Sequence, residues 1–175
     1  DKTLFTDEVN FFIGKNFLIT VSGHKSENRK PLKNIAELVE HDTLNARTSP
    51  AMLLHKVLDF LVDQKYSAFD TMEDELEELE DLLMEDVTSF RPMELIHLRR
   101  NLVTLRKSLY HEREILVKIS RLDCPFIPEN AVVPFRDIYD HLSKFFELTE
   151  TYREIETSLM ELYTSLLNNK MTQMS

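Results

Sequence analysis

Apolar residues recur along this chain in two rhythms. Val9 to Ile13 and Phe17 to Val21 are short apolar runs joined by Gly14-Lys15-Asn16. Such runs around a short Gly-containing turn predict a β-hairpin, and Gly23 closes its second strand. Residues 23–34 are polar and predict a loop, followed by a short helix over 34–41 with Ile35, Leu38 and Val39 as its apolar face. From residue 50 the spacing changes to threes and fours, the helical signal. Leu54, Leu58, Leu61, Phe69, Met72, Leu76, Leu79 and Leu83 predict a helix from about Pro50 to about Glu85, with Lys65 interrupting the seam. Ser49 is placed to cap it, and Pro50 suits the first helical position because its missing N–H is not needed there. After Ser89-Phe90-Arg91-Pro92, a heptad seam reads Leu95, Leu98, Leu102, Leu105, Leu109, Glu112, Leu116 and Ile119, with Glu112 its polar member. Asp123-Cys124-Pro125 ends that helix. The last seam reads Ile138, Leu142, Phe145, Leu148, Tyr152, Ile155, Leu159, Leu162 and Leu166, predicting a helix from near Pro134 to about Met171.

The short connection after residue 85 predicts that its two flanking helices pack antiparallel. The last helix, roughly 55 Å long at the α-helical rise, must bury its seam against that hairpin and against copies of itself. A lone two-stranded hairpin is marginal in water, so a larger sheet is expected upstream of residue 1. Together with an opening at Asp1 and not Met, this suggests a piece of a longer protein, with the last helix continuing past Ser175.

Composition strengthens the helical reading. Only 2 of 175 residues are Gly and none is Trp, while 42% are hydrophobic and 30% charged, a bias toward long helices. The net charge of −10 argues against nucleic acid as a partner, since phosphate binding needs a basic footprint. The single cysteine, Cys124, allows no internal disulfide, which fits a reducing compartment. No apolar run reaches the ~18–20 residues of a membrane span, so the residues present are expected to be soluble. Residues 70–86 carry ten acidic residues and no basic one, whereas Arg91 to Arg121 carry eight Lys/Arg. Opposite fields of this kind can set helix register, or simply face solvent.

Catalytic chemistry finds no support. Six histidines are scattered without HExxH or zinc-ligand spacing, and there is too little Gly for a phosphate-binding loop. The expectation is a protein that is not an enzyme. Isolated carboxylates beside the seams are more informative. Asp59 follows Leu58 and Asp137 precedes Ile138, each at the margin of a packing face. Asp137, Asp140 and His141 share one helical surface by their spacing. A hard cation such as Mg²⁺ takes carboxylate oxygens and keeps several waters, so one or two Asp per chain suffice. Ordinary polar residues at an interface are the alternative.

Some segments are recognisable. Val133-Pro134-Phe135-Arg136-Asp137-Ile138-Tyr139-Asp140-His141 resembles the segment that opens the stalk helix of CorA-type magnesium transporters. Leu98 to Lys107 (LRRNLVTLRK) and Leu53 to Asp63 are similar to two further motifs of that family, and Val9 to Thr20 resembles its last cytoplasmic strand pair. The resemblance implies a mainly α fold with an N-terminal β-hairpin: a truncated α/β/α funnel domain with two antiparallel willow helices and a long stalk helix. Residues 1–49 would be the C-terminal remnant of the α/β domain, 50–122 the willow helices, and 131–175 the stalk leading to a missing transmembrane segment.

It further implies a homo-pentamer at the cytoplasmic face of the inner membrane, gated by intracellular Mg²⁺ held between protomers. Co²⁺ and Ni²⁺ are the other candidate ions. Asp137 matches the family's inter-protomer metal ligand and Asp59 the willow-helix aspartate of a second site, with Asp140 and His141 in support. One departure stands at the far end. Where relatives read close to NKTN, this chain reads Asn169-Lys170-Met171-Thr172, with Thr172 in place of the second Asn. Two other readings stay open: a zinc-transporting relative with the same funnel, and a coiled-coil scaffold without ion chemistry.

Overall fold

The computed structural model describes residues 3–23, 35–43 and 48–175. Strands β1 (Val9–Ile13) and β2 (Leu18–Ser22) pair antiparallel, with Phe11 opposite Thr20 and Ile13 opposite Leu18. The second strand begins one residue later than the apolar run suggests, because Phe17 belongs to the turn. Gly14 N–H donates to the Phe17 carbonyl at 2.9 Å. A Cβ at Gly14 would overlap the exposed Phe17 ring, so glycine lets that ring lie over the turn without any unusual dihedral.

Among the described residues five α-helices follow: α1 (Ile35–Thr43), α2 (Pro50–Asp63), α3 (Lys65–Glu85), α4 (Pro92–Ser120) and α5 (Val132–Met174), the last entered through a short 3₁₀ turn at Glu129–Ala131. Residues 24–34 of the polar loop expected over 23–34, and the side chain of Leu38 in α1, lie outside the described residues. Ser49 caps α2, its hydroxyl accepting from Met52 N–H at 3.2 Å. The helix expected to run unbroken from 50 to 85 is instead two, parted at Gln64, beside the Lys65 that interrupts the seam. The end of α4 is a Schellman turn: Asp123 N–H reaches Lys118 O, and Leu122 N–H reaches Ile119 O. Leu122 occupies the left-handed position at φ 61°, where glycine is the usual occupant.

The chain forms two compact units. One comprises Asp1–Leu4, Tyr66–Leu109 and Lys144–Ser175; the other comprises Phe5–Lys65 and Tyr110–Ser143. In the first, Phe69 stacks on Phe145 with 4.7 Å between centroids, and Asp86 stands 3.9 Å from Lys170, so α3 runs parallel to α5. Arg99 pairs with Glu156 and Arg106 with Glu150, which sets α4 antiparallel to α5 and hence to α3. The two arginines thus turn to α5, while most of the acidic run on α3 is exposed. Leu95, Leu98, Leu102, Leu105 and Leu109 are buried as their heptad predicts, each worth roughly 1.5–3 kcal/mol of apolar burial.

The seam of α5 departs from expectation. Leu148 and Ile155 are each 37% exposed, whereas Thr149 and Glu156 are 0% and 1% exposed. The buried line 138, 142, 145, 149, 152, 156 and 159 is an unbroken four-three alternation, and helical geometry enforces it over the apolar neighbours. The polar residues drawn inside are accommodated. Thr149 Oγ1 donates to the Phe146 carbonyl at 2.6 Å. Arg99 Nε donates to Glu156 Oε2 at 3.1 Å, with Nη2 3.0 Å from Oε1. Asn101, 7% exposed, accepts from Leu4 N–H at 2.9 Å.

In the second unit, α2 packs against both strands and α1. The two polar interruptions of the sequence seams meet here: Lys65 Nζ lies 2.8 Å from Glu112 Oε1. Arg113 donates to the Tyr139 hydroxyl at 3.1 Å and lies over its ring, which lowers the Tyr139 pKa from its usual value by stabilising the phenolate.

Candidate metal centre

Two helices of the second unit build the centre. The Ser49 cap fixes where α2 begins, and from there His55, Asp59 and Asp63 follow at intervals of four along one face. His55 Nε2 lies 3.1 Å from the Pro134 carbonyl oxygen. A carbonyl only accepts, so that nitrogen carries the proton. The His55 ring also meets Phe135 edge-on, centroids 5.4 Å apart. This rung aligns the start of α5 with α2 in parallel. Two turns further along α5, His141 comes to the level of Asp59 and Asp63.

The result is a convergent set of donors. One carboxylate oxygen from Asp59, one from Asp63 and one ring nitrogen of His141 all lie within 4.8 Å of one another. Asp59 and His141 are half-buried and Asp63 is exposed. His141 Nδ1 is buried and has no hydrogen-bond partner. Among the described residues neither Asp59 nor Asp63 has a cationic partner.

The sequence singled out Asp59, Asp137, Asp140 and His141. Of these, the structure brings Asp59 and His141 together, through the added Asp63. Asp137 and Asp140 are exposed on α5 and are outside this group, the one convergent set of three or more such ligands among the described residues. Asp63 escaped the sequence reading although its signal was present: it stands four residues from Asp59 on the same helical face. What the sequence could not supply was the level at which α5 presents His141.

Chemically, exposed carboxylates such as Asp137 suit a hydrated hard cation, which needs few protein ligands. The Asp-Asp-His set is different, because imidazole favours softer first-row ions. Among the described residues no helix is long and apolar enough to cross a membrane.

A hairpin followed by long helices, with carboxylates carried on α2 and α5, is the architecture that frames these donors. The model for the family described as CorA-like Mg2+ transporter protein matches residues 1–175, and the chain belongs to that family. The cobalt/magnesium transport protein CorA of Thermotoga maritima is 35% identical over 118 residues, covering 67% of this chain and 34% of its own length. The protein of the same description in Methanocaldococcus jannaschii is 29% identical over 181 residues, covering 99% of this chain and 54% of its own. The complete structure of the M. jannaschii CorA magnesium transporter superposes with a TM-score of 0.77 at 28% identity, over 94% of this chain and 51% of that one. The chain therefore spans about half the length, or less, of these relatives.

Proposed function

We propose that this chain is the regulatory and ion-admitting part of a divalent-cation transporter, with no enzymatic activity, controlled by intracellular Mg²⁺. The observation that carries the reading is the family match along all 175 residues. A coiled-coil scaffold would explain the heptads but not that match. In this reading α2 to α4 are the willow helices, α5 is the stalk, and residues 1–49 belong to the cytoplasmic α/β domain. The whole protein is a homo-pentamer at the cytoplasmic face of the inner membrane.

Asp137 and Asp59 are the residues that would hold Mg²⁺, with Asp140 and His141 nearby. Asp137 fits, being an exposed carboxylate free to meet a second copy of the chain. When bound, the cation supplies positive charge that offsets the repulsion among chains of net charge −10. The chain's own part is mechanical. Asp137 sits on α5, whose continuous helix joins any change at that surface to the far end of the stalk. Binding and closure then favour each other through linkage.

Limited proteolysis of the full-length protein tests the assignment. Mg²⁺ should protect the parent, and Asp137→Ala should abolish most of that protection. Equal protection of both would remove Asp137 from the mechanism.

A further inference from the structure

We propose that the outer flank of α3 docks lengthwise against the outer flank of α4 of a second copy of this chain, acid against base. The docking presupposes the homo-oligomer proposed above, and it names a surface that joins neighbours at the level of these two helices. On α3 the outermost line is Asp70, Asp74, Glu77 and Asp81, spaced four, three and four, and all four are exposed. On α4 the outermost line is Ile96, Arg100, Val103 and Lys107, with the same spacing. Arg100 and Lys107 are exposed, and neither has a carboxylate partner among the described residues. Val103, between them, is 53% exposed and would be covered by such a contact. Like charges four apart on α3 repel one another, so that line gains from facing cations.

The two lines do not meet within one chain. Arg99 and Arg106, each one step from the α4 line, turn to Glu156 and Glu150 of α5. On α3, Glu73 accepts a hydrogen bond from the Tyr152 hydroxyl of α5. These contacts mark the edge of each helix that lies against α5. By helical geometry the charged lines fall just beyond those edges, on the flanks that α3 and α4 turn away from each other. A second copy supplies the missing flank. In a ring whose axis runs along α5, α3 of one copy meets α4 of the next without a shift along the axis, so only residues at one level can pair. The levels agree. Arg106 pairs with Glu150, which lies between Phe145 and Tyr152, the two rings that meet Phe69. Lys107 is therefore level with Asp70. Because α3 and α4 run antiparallel, Arg100 is level with Glu77, one heptad along each helix. Complementary fields of this kind set register and suppress wrong pairings more than they add affinity.

Zero-length cross-linking of the full-length protein with a carbodiimide tests the docking, because it joins an amine to a carboxylate only where the two already touch. Denaturing gels should show dimers and higher steps, and the digested dimer band should yield Lys107 joined to Asp70 or Asp74 by mass spectrometry. The monomer band should lack that linked peptide. Lys107→Arg keeps the charge without the reactive amine, so it should lose the linked peptide at unchanged native mass. A linked peptide in the monomer band would mean that the pair closes within one chain. Its absence from every band of an oligomeric parent would mean that the flanks do not meet. Either result overturns the docking, and both are read on the parent protein, so a variant that fails to fold does not rescue it. An oligomeric parent without the link removes this surface alone, whereas a parent that is monomeric by native mass removes the homo-oligomeric reading with it.

Discussion

The same two helices, α4 and α5, contribute to both compact units, yet they handle buried polarity in opposite ways. In the unit containing Lys144–Ser175, polar residues forced inside are closed off by partners: Glu156 by Arg99, Thr149 by a carbonyl, Asn101 by Leu4 N–H. In the unit containing Tyr110–Ser143, Lys65 and Glu112 also close on each other, but Asp59, Asp63 and His141 stay open toward a common point. Closed polar groups fix register. Open ones cost stability unless something else binds them, and that is the mark of a site.

The largest test of this contrast is Arg99→Ala. It strips the partner from a buried carboxylate and should destabilise the chain by roughly 2–4 kcal/mol, at the lower part of the buried-pair range because Arg99 is itself half exposed. Glu156→Met, which replaces the charge with apolar volume, should be close to neutral in the same urea denaturation series. If both cost the same, Glu156 is not a buried charge in need of pairing. Next in size is Leu122→Gly. It relieves a left-handed backbone position at an exposed residue and should stabilise by about 1 kcal/mol in thermal unfolding; no gain would mean the Schellman turn is not strained.

Smaller still is Asp63→Asn. An open donor contributes nothing to holding the helices together, so unfolding without metal should shift by less than about 0.5 kcal/mol. A large loss would make the residue structural and erase the difference between the units. The last test is a matter of pH. Hydrogen bonds from Ser89 and Thr88 hold the exposed Asp86 carboxyl down to about 2 from 3.8. A carboxyl depressed on folding adds stability that is fully present above 3.8 and fades as pH falls through about 2. Carboxyl NMR titration should place its midpoint well below the other exposed carboxylates, and a midpoint among them would contradict the closed turn at residues 86–89.

Much of the fold was legible because helices report themselves through local spacing. The α4 seam, including its polar member Glu112, lies where its heptad puts it. The break at Lys65 was visible as an interruption, but not as a helix end, because its partner Glu112 is 47 residues away. The α5 seam misled at two positions. Leu148 and Ile155 offered apolar side chains one step off the true line, and only the neighbouring helices show that Thr149 and Glu156 face inward. The donors divide in the same way. Asp59 stood out beside a packing face, His141 through the helical surface it shares with Asp137 and Asp140, and Asp63 shared a helical face with Asp59. Their convergence depends on the level of α5 against α2, set by the contacts of His55 with Pro134 and Phe135, which no local pattern encodes.

The central claim, that this chain controls a divalent-cation transporter, is tested most directly by flux. The full-length protein would be reconstituted in liposomes loaded with a Mg²⁺-sensitive dye, and uptake recorded at low and at high internal Mg²⁺. Mg²⁺ influx should slow as internal Mg²⁺ rises, with Asp137→Ala blunting the slowing. Absence of influx, or influx in the parent protein indifferent to internal Mg²⁺, would contradict it.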